Sequence, residues 1–231
     1  MRYTGNRRPS ALETITTRSW FSHGCHALGL VMCLFLAVWH PLPVKSQVKA
    51  MENKEPLATI TLGAGCFWCI EAVFEQLEGV KSAVSGYMGG HIKNPGYREV
   101  CTGRTGHAEV VQVTFDENQI MLDDILEVFF AIHDPTTLNR QGADVGTQYR
   151  SAIFYSSEDQ RIIAESALKE AQQAFGNAVV TELTSATTFY EAEDYHQAYF
   201  KLNGEAPYCR AVIAPKMQKF RKHFEPLLKA N

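Results

Sequence analysis

Leu57-Ala58-Thr59-Ile60-Thr61-Leu62-Gly63-Ala64-Gly65-Cys66-Phe67-Trp68-Cys69 changes its periodicity part-way. Residues 57–62 form a β-type run. From Phe67 onward, Phe67, Ile70, Phe74 and Leu77 recur at spacings of three and four. That spacing predicts an apolar stripe on a helix over 66–78. Glu71, Glu75 and Glu78 are assigned to its opposite, polar face. Gly63 and Gly65 make the turn between strand and helix. Cys66 therefore stands where free N–H groups and the positive end of a helix dipole converge. A thiol so placed is expected to lose its proton easily, and the thiolate is the nucleophile. Cys69, three residues on, lies on nearly the same helix face and is within reach for a disulfide. Thiol redox chemistry begun by Cys66 is the first expectation.

Working outward, residues 80–87 read as a strand, and residues 88–107 as a long glycine-rich loop with a turn at Asn94-Pro95-Gly96. A loop of that length in a compact domain points to function. Residues 108–115 alternate as a strand. A helix follows over 122–133, stopped by Asp134-Pro135. Residues 149–155 form the next strand. Ser157 and Gln160 make a capping box for a helix over 158–175. Residues 179–183 suit a strand, residues 194–202 a short helix, and a last helix starts at Pro215. Up to residue 155 the order is β-α-β-β-α-β. The predicted class is α+β, with a ferredoxin-like split βαβ core: a mostly antiparallel sheet with helices packed on one face.

The chain has 231 residues, and its charge is unevenly spread. Residues 1–50 hold six Lys/Arg and one acid; residues 51–231 hold 16 basic and 24 acidic residues. An acidic body argues against nucleic acid as a partner. Arginines precede an apolar run over 27–39, ended by His40-Pro41-Leu42-Pro43. Thirteen residues is short for a membrane span and suits a signal-peptide core. The expected organisation is an extension over 1–50 and one catalytic domain over 51–231. Residues 20–43 predict export or membrane anchoring; a true start at Met51 predicts a cytoplasmic protein instead. Of six cysteines, Cys66, Cys69, Cys101 and Cys209 lie in the body. No second ligand pair stands at zinc spacing, so no metal is expected.

Other residues carry weaker signals by themselves. Trp68 is off the apolar stripe beside Cys66, where it can wall an apolar pocket. Glu109 opens a strand, a position that is usually solvated. His107 reads as a polar loop residue, Tyr97 as a loop tyrosine and Tyr149 as the start of a strand. His196 reads as an exposed residue at a helix start. Asp144 lies in an unusually polar strand entrance, to which spacing assigns no role.

Taken together, Gly65-Cys66-Phe67-Trp68, SGYMGG (85–90), NPGYREVCTGRTGHAE (94–109), GTQYRSAI (146–153) and FYEAEDYHQAY (189–199) resemble peptide methionine sulfoxide reductases of the A type. The resemblance covers about residues 57–215. It implies reduction of methionine S-sulfoxide, free or in proteins, with no cofactor, by an enzyme recycled by thioredoxin or a thioredoxin-like dithiol; separately, a monomer is expected. It places Cys66 on the catalytic nucleophile, and Phe67 and Trp68 on the pocket for the sulfoxide methyl group. Glu109 falls on the proton donor, Tyr97 and Tyr149 on hydroxyls that bind the sulfoxide oxygen, and Asp144 on an acidic residue near the site. Many members have glycine at the position of Cys69 and use a distant C-terminal cysteine to resolve the sulfenic acid. This chain resembles the subgroup that resolves within Cys-x-x-Cys, with Cys209 as the alternative resolving thiol or relay. A plain Cys-x-x-Cys disulfide oxidoreductase is the rival activity.

Overall fold

The computed structural model describes residues 57–230. The expectations for residues 1–50, including export and anchoring, lie outside the described residues. β1 (Leu57–Ala64) runs into α1 (Phe67–Phe74), and β2 (Val80–Met88) leads to a four-residue helix, α2 (Tyr97–Val100). β3 (Ala108–Asp116) and α3 (Leu122–Ile132) follow. A small hairpin, β4 (Arg140–Gln141) and β5 (Asp144–Val145), precedes β6 (Ser151–Tyr155) and α4 (Glu158–Ala174). The rest comprises β7 (Glu182–Ser185), β8 (Tyr190–Glu191), α5 (Tyr199–Leu202) and α6 (Ala214–His223).

The large sheet has the order β7-β6-β1-β3-β2-β8. Its middle four strands pair antiparallel, β6 with β1, β1 with β3 and β3 with β2. That is the ferredoxin-like order expected from β-α-β-β-α-β. β7 joins one edge parallel to β6, and β8 joins the other antiparallel to β2. The predicted α+β fold stands.

Periodicity explains which face each strand offers. Ile60, Leu62, Val111, Val113, Phe115 and Ile153 point into the main core. There they meet Phe67, Ile70 and Phe74 of α1, Ile125, Leu126 and Phe129 of α3, and Met217 and Phe220 of α6. The alternate strand positions Met88, Ala108, Val110, Ala152 and Phe154 form a smaller cluster on the other face, under Ala186 and Phe189. Gly86 is needed there: a Cβ would lie 2.4 Å from the Phe189 ring.

Several boundaries differ for identifiable reasons. α1 ends at Phe74 rather than residue 78 because the next residues pair with the C-terminal segment. Leu77 bridges Leu228, and the Glu78 N–H donates to the Leu227 carbonyl at 2.8 Å. Tyr149 is not in a strand; it closes a 3-10 turn over Thr147–Tyr149, and β6 starts two residues later. The long loop contains α2, with Tyr97 as its first residue. The parallel partner of β6 is residues 182–185, not 179–183.

Three polar residues sit differently from expectation. Glu71 is 2 % exposed, not on a solvent face, because residues 196–199 fold over that side of α1. His196 is buried rather than exposed, packed against the rings of Phe67, Trp68 and Tyr97. His107 is buried too, with Nδ1 accepting from the Gly90 N–H and Nε2 on the Ile92 carbonyl.

Candidate active site

The Gly63–Gly65 turn presents Cys66 at the first turn of α1. Gly65 has φ +88°, a left-handed conformation that favours glycine. A Cβ on it would lie 2.6 Å from the Gln141 Cβ, so the β4–β5 hairpin packs directly on this turn. Cys66 caps the N-terminus of α1, immediately before Phe67, and its carbonyl accepts from the Cys69 N–H at 3.1 Å.

Helix starts leave N–H groups without intrahelical partners. One of these, the Phe67 N–H, donates to Glu109 Oε2 at 3.2 Å. Glu109 projects from β3 and is 1 % exposed. Its burial raises the carboxyl from 4.5 to about 8, with the Asp144 charge adding to the rise and the Phe67 hydrogen bond opposing it. At neutral pH it is therefore a protonated acid beside a thiol.

A cavity of about 180 Å³ opens onto these groups. Its walls are Cys66, Phe67, Trp68, Tyr97, Glu109, Asp144, Tyr149 and Tyr208. Burial raises the phenols of Tyr97, Tyr149 and Tyr208, so all three are donors at neutral pH. Tyr208 donates to Asp144 Oδ2 at 3.0 Å. The Tyr97 N–H donates to Glu193 Oε1 at 2.9 Å, and the Tyr87 hydroxyl donates to Glu193 Oε2 at 2.9 Å. A larger cleft, about 380 Å³, is lined by Arg150, Phe154 and Glu182 among others and contains no thiol. Among the described residues no cluster of His, Cys, Asp or Glu is arranged to hold a metal ion.

The thiols depart from expectation. The Cys66 thiol is raised, not lowered: its hydrogen bond with Cys69, its burial and the charge Glu109 carries once ionised outweigh the hydrogen bond from Tyr208. The same thiol–thiol hydrogen bond, helped by Lys216, lowers Cys69 to about 7 despite its burial. Free Cys66 is thus held as a thiol against its partner. Cys209 is buried in a π-helical turn over Cys209–Ile213, close enough to feel the charge on Cys69, but does not line the cavity. Cys101 is exposed at the end of α2 and faces the Tyr97 hydroxyl.

Of the predicted residues, then, Cys66, Phe67, Trp68, Tyr97, Glu109, Asp144 and Tyr149 converge on one cavity, with Cys69 behind Cys66. Three participants went unassigned in the sequence. Tyr208 completes the wall. His196 Nδ1 accepts from the Trp68 indole N–H at 3.1 Å. Tyr199 stacks face to face on Trp68, with ring centroids 3.7 Å apart and planes 8° apart. His196 and Tyr199 fall inside the 189–199 motif that carried part of the resemblance but gave neither a role, and Tyr208 stands beside Cys209 with no period that marks a site.

A model of the peptide methionine sulfoxide reductase family matches residues 58–227. The chain belongs to this family. A peptide methionine sulfoxide reductase from Saccharolobus solfataricus is 57% identical over 171 residues, which are 74% of this chain and 97% of the relative. One from Thermus thermophilus is 53% identical over 174 residues, 75% of this chain and 99% of that one. Among solved structures, reduced Mxr1 of Saccharomyces cerevisiae is 35% identical with a TM-score of 0.62, covering 66% of this chain and 89% of that one. Methionine sulfoxide reductase A of Corynebacterium diphtheriae is 36% identical with a TM-score of 0.60, covering 65% and 77%. This peptide methionine sulfoxide reductase thus holds a thiol, a neutral carboxyl and three phenols around a cavity walled by Phe67 and Trp68. Such a set can grip an apolar methyl group at one end and donate hydrogen bonds to an oxygen at the other.

Proposed function

We propose that this reductase acts on the S-epimer of methionine sulfoxide, free and in proteins, with Cys66 as nucleophile and Glu109 as acid. Phe67 and Trp68 hold the sulfoxide methyl group, and Tyr97 and Tyr149 donate to the sulfoxide oxygen. The observation that carries this reading is the buried Glu109 carboxyl, held on the Phe67 N–H at 3.2 Å in the cavity that Cys66 lines. Attack on a sulfoxide sulfur needs its oxygen protonated or strongly hydrogen-bonded, because charge develops there. Glu109 has a proton to give at pH 7 because burial lifts it to about 8.

The Cys66 sulfur attacks the sulfoxide sulfur. Glu109 gives its proton to the sulfoxide oxygen and takes up the Cys66 thiol proton. The oxygen then moves to Cys66 as the new S–S bond and the old S–O bond break. Methionine leaves, and Cys66 becomes a sulfenic acid that carries the proton Glu109 gave. Passing the Cys66 proton on lets a thiol raised by burial act as a thiolate only when substrate fills the site. Cys69 then attacks the sulfenic sulfur, a Cys66–Cys69 disulfide forms and water leaves. A thioredoxin-like dithiol returns both cysteines to thiols by exchange. The thiol–thiol hydrogen bond supports Cys69 as resolver over Cys209, which does not reach the cavity. Asp144 holds the Tyr208 hydroxyl beside the two thiols.

The test is turnover of resolved S- and R-sulfoxide peptides with dithiothreitol or thioredoxin, for wild type, Cys66→Ser and Cys69→Ser. Cys66→Ser should be inactive. Cys69→Ser should release one methionine per chain, accumulate a sulfenic acid seen by mass spectrometry, and stall with thioredoxin. Turnover by Cys66→Ser would overturn the mechanism, and full recycling of Cys69→Ser by thioredoxin would move the resolving role to Cys209.

A further inference from the structure

Glu71 is the one carboxylate of α1 that is buried, and nothing in the mechanism above uses it. It lies one turn beyond Trp68 on the same helix face. Its Oε1 accepts from the Ala198 N–H at 3.0 Å, across 127 residues of chain. The Tyr199 N–H lies close enough to lower the same carboxyl, and so does the buried Ser85 hydroxyl, which makes no hydrogen bond among the described residues.

Ala198 has φ +50°, the left-handed region that a non-glycine residue occupies only when its surroundings impose it. The consequence reaches the cavity through the next residue. Tyr199 leaves that bend stacked on Trp68 at 3.7 Å, and His196, three residues before Tyr199, accepts the Trp68 indole N–H. Residues 196–199 therefore form a strap over Trp68. Its far side is tied to the sheet by Gln197, whose side-chain amide accepts from the Ser85 N–H and donates to the Ser85 carbonyl. Trp68 and Glu71 sit on one rigid helix, so fixing Ala198 on Glu71 fixes Tyr199 on Trp68.

We infer that Glu71 is a positioning residue for substrate: by holding the Ala198 N–H it presses the 196–199 strap onto Trp68 and sets that wall of the sulfoxide pocket. This rests on the reading that Trp68 walls the substrate site. Glu71 touches neither substrate nor the reacting sulfur, so it governs how well the methyl group is held rather than the chemical step.

The experiment compares Glu71→Gln, which keeps an oxygen acceptor for the Ala198 N–H, with Glu71→Leu, which removes it. Both are made in the full chain with Trp20→Phe and Trp39→Phe, leaving Trp68 as the sole tryptophan. Glu71→Leu should raise KM for a methionine S-sulfoxide peptide about tenfold, the factor carried by one ordinary hydrogen bond, with kcat within about threefold. Its Trp68 emission should rise and shift as the Tyr199 stack loosens. Glu71→Gln should restore both KM and emission to within about threefold of wild type. Tyr199→Leu, at a half-buried position, is the second arm and should raise KM with the same change in emission even if Glu71→Leu does not fold. Equal behaviour of the Leu and Gln variants, a loss confined to kcat, or unchanged Trp68 emission in a folded Glu71→Leu or in Tyr199→Leu would overturn the inference. Emission is read without turnover, so failure of the Cys66 mechanism and failure of the strap remain distinguishable.

Discussion

Replacing Glu109 by glutamine removes one proton and leaves the shape of the site. The glutamine oxygen can still accept the Phe67 N–H, now 3.2 Å from the carboxylate, so the start of α1 is preserved. What changes is titration. Burial carries the carboxyl from 4.5 to about 8. At pH 7 the wild-type group is therefore roughly nine-tenths protonated. Because the folded group titrates above the unfolded one, its contribution to stability is fully present below pH 4.5 and is lost as pH rises through about 8. Glutamine has no such dependence. The stability of wild type relative to Glu109→Gln should fall by about 1.4 kcal/mol per pH unit between those limits and then level off. The whole change is on the order of 5 kcal/mol. Urea unfolding of both proteins from pH 5 to pH 9 measures it. Single-turnover release of methionine at pH 7 should meanwhile drop by about 10² to 10⁴, the usual yield of a general acid. Parallel stability curves would show that the carboxyl titrates as an ordinary glutamate. It would then be ionised at pH 7, and the acid role would be refuted whatever the kinetic loss.

Gly65→Ala places a Cβ in left-handed backbone and 2.6 Å from Gln141, so the hairpin carrying Asp144 must shift. A fall in Tm of roughly 2–8 °C and reduced turnover are expected, and calorimetry that finds neither would dismiss the packing argument. Tyr208→Phe deletes the donor to Asp144 at 3.0 Å and a neighbour of both thiols. Its kcat/KM should fall about tenfold with the fold intact, and wild-type kinetics would remove Tyr208 from the site. His133 is buried with Nδ1 on the Phe129 carbonyl and Nε2 on Ser151 Oγ, and burial lowers it from 6.5 to about 4. Its folded value is depressed, so its stabilisation is complete above pH 6.5 and is lost as pH falls toward 4. Between pH 7 and pH 4.5, wild type should lose about 2–3 kcal/mol more in urea unfolding than His133→Gln; equal losses would contradict it.

Local patterns carried most of the architecture. The switch from the 57–62 run to the Phe67, Ile70, Phe74 spacing defines β1, the turn and α1, because each face is a property of one element. The β-α-β-β-α-β order then leaves few ways to pair four strands, and the observed β6-β1-β3-β2 core is one of them. Short elements were missed where distant chain decides them. β8 is two residues long and exists because β2 offers an edge. α1 stops early because residue 227 takes the N–H of residue 78.

Sequence by itself determined that Cys66 begins a helix after a glycine turn with Cys69 one turn on, and its motifs together carried the resemblance to a sulfoxide reductase. Tertiary structure alone decided the charge states and the second wall of the pocket. Periodicity made Glu71 a surface residue and the helix start made Cys66 a thiolate. Both expectations failed for one reason: desolvation and hydrogen bonding sum over everything that packs against a group, and the strap that buries Glu71 comes from 127 residues away. Cys66 is raised because its hydrogen bond with Cys69, its burial and the Glu109 charge act together in a closed site, and burial in that same site is what gives Glu109 a proton to donate.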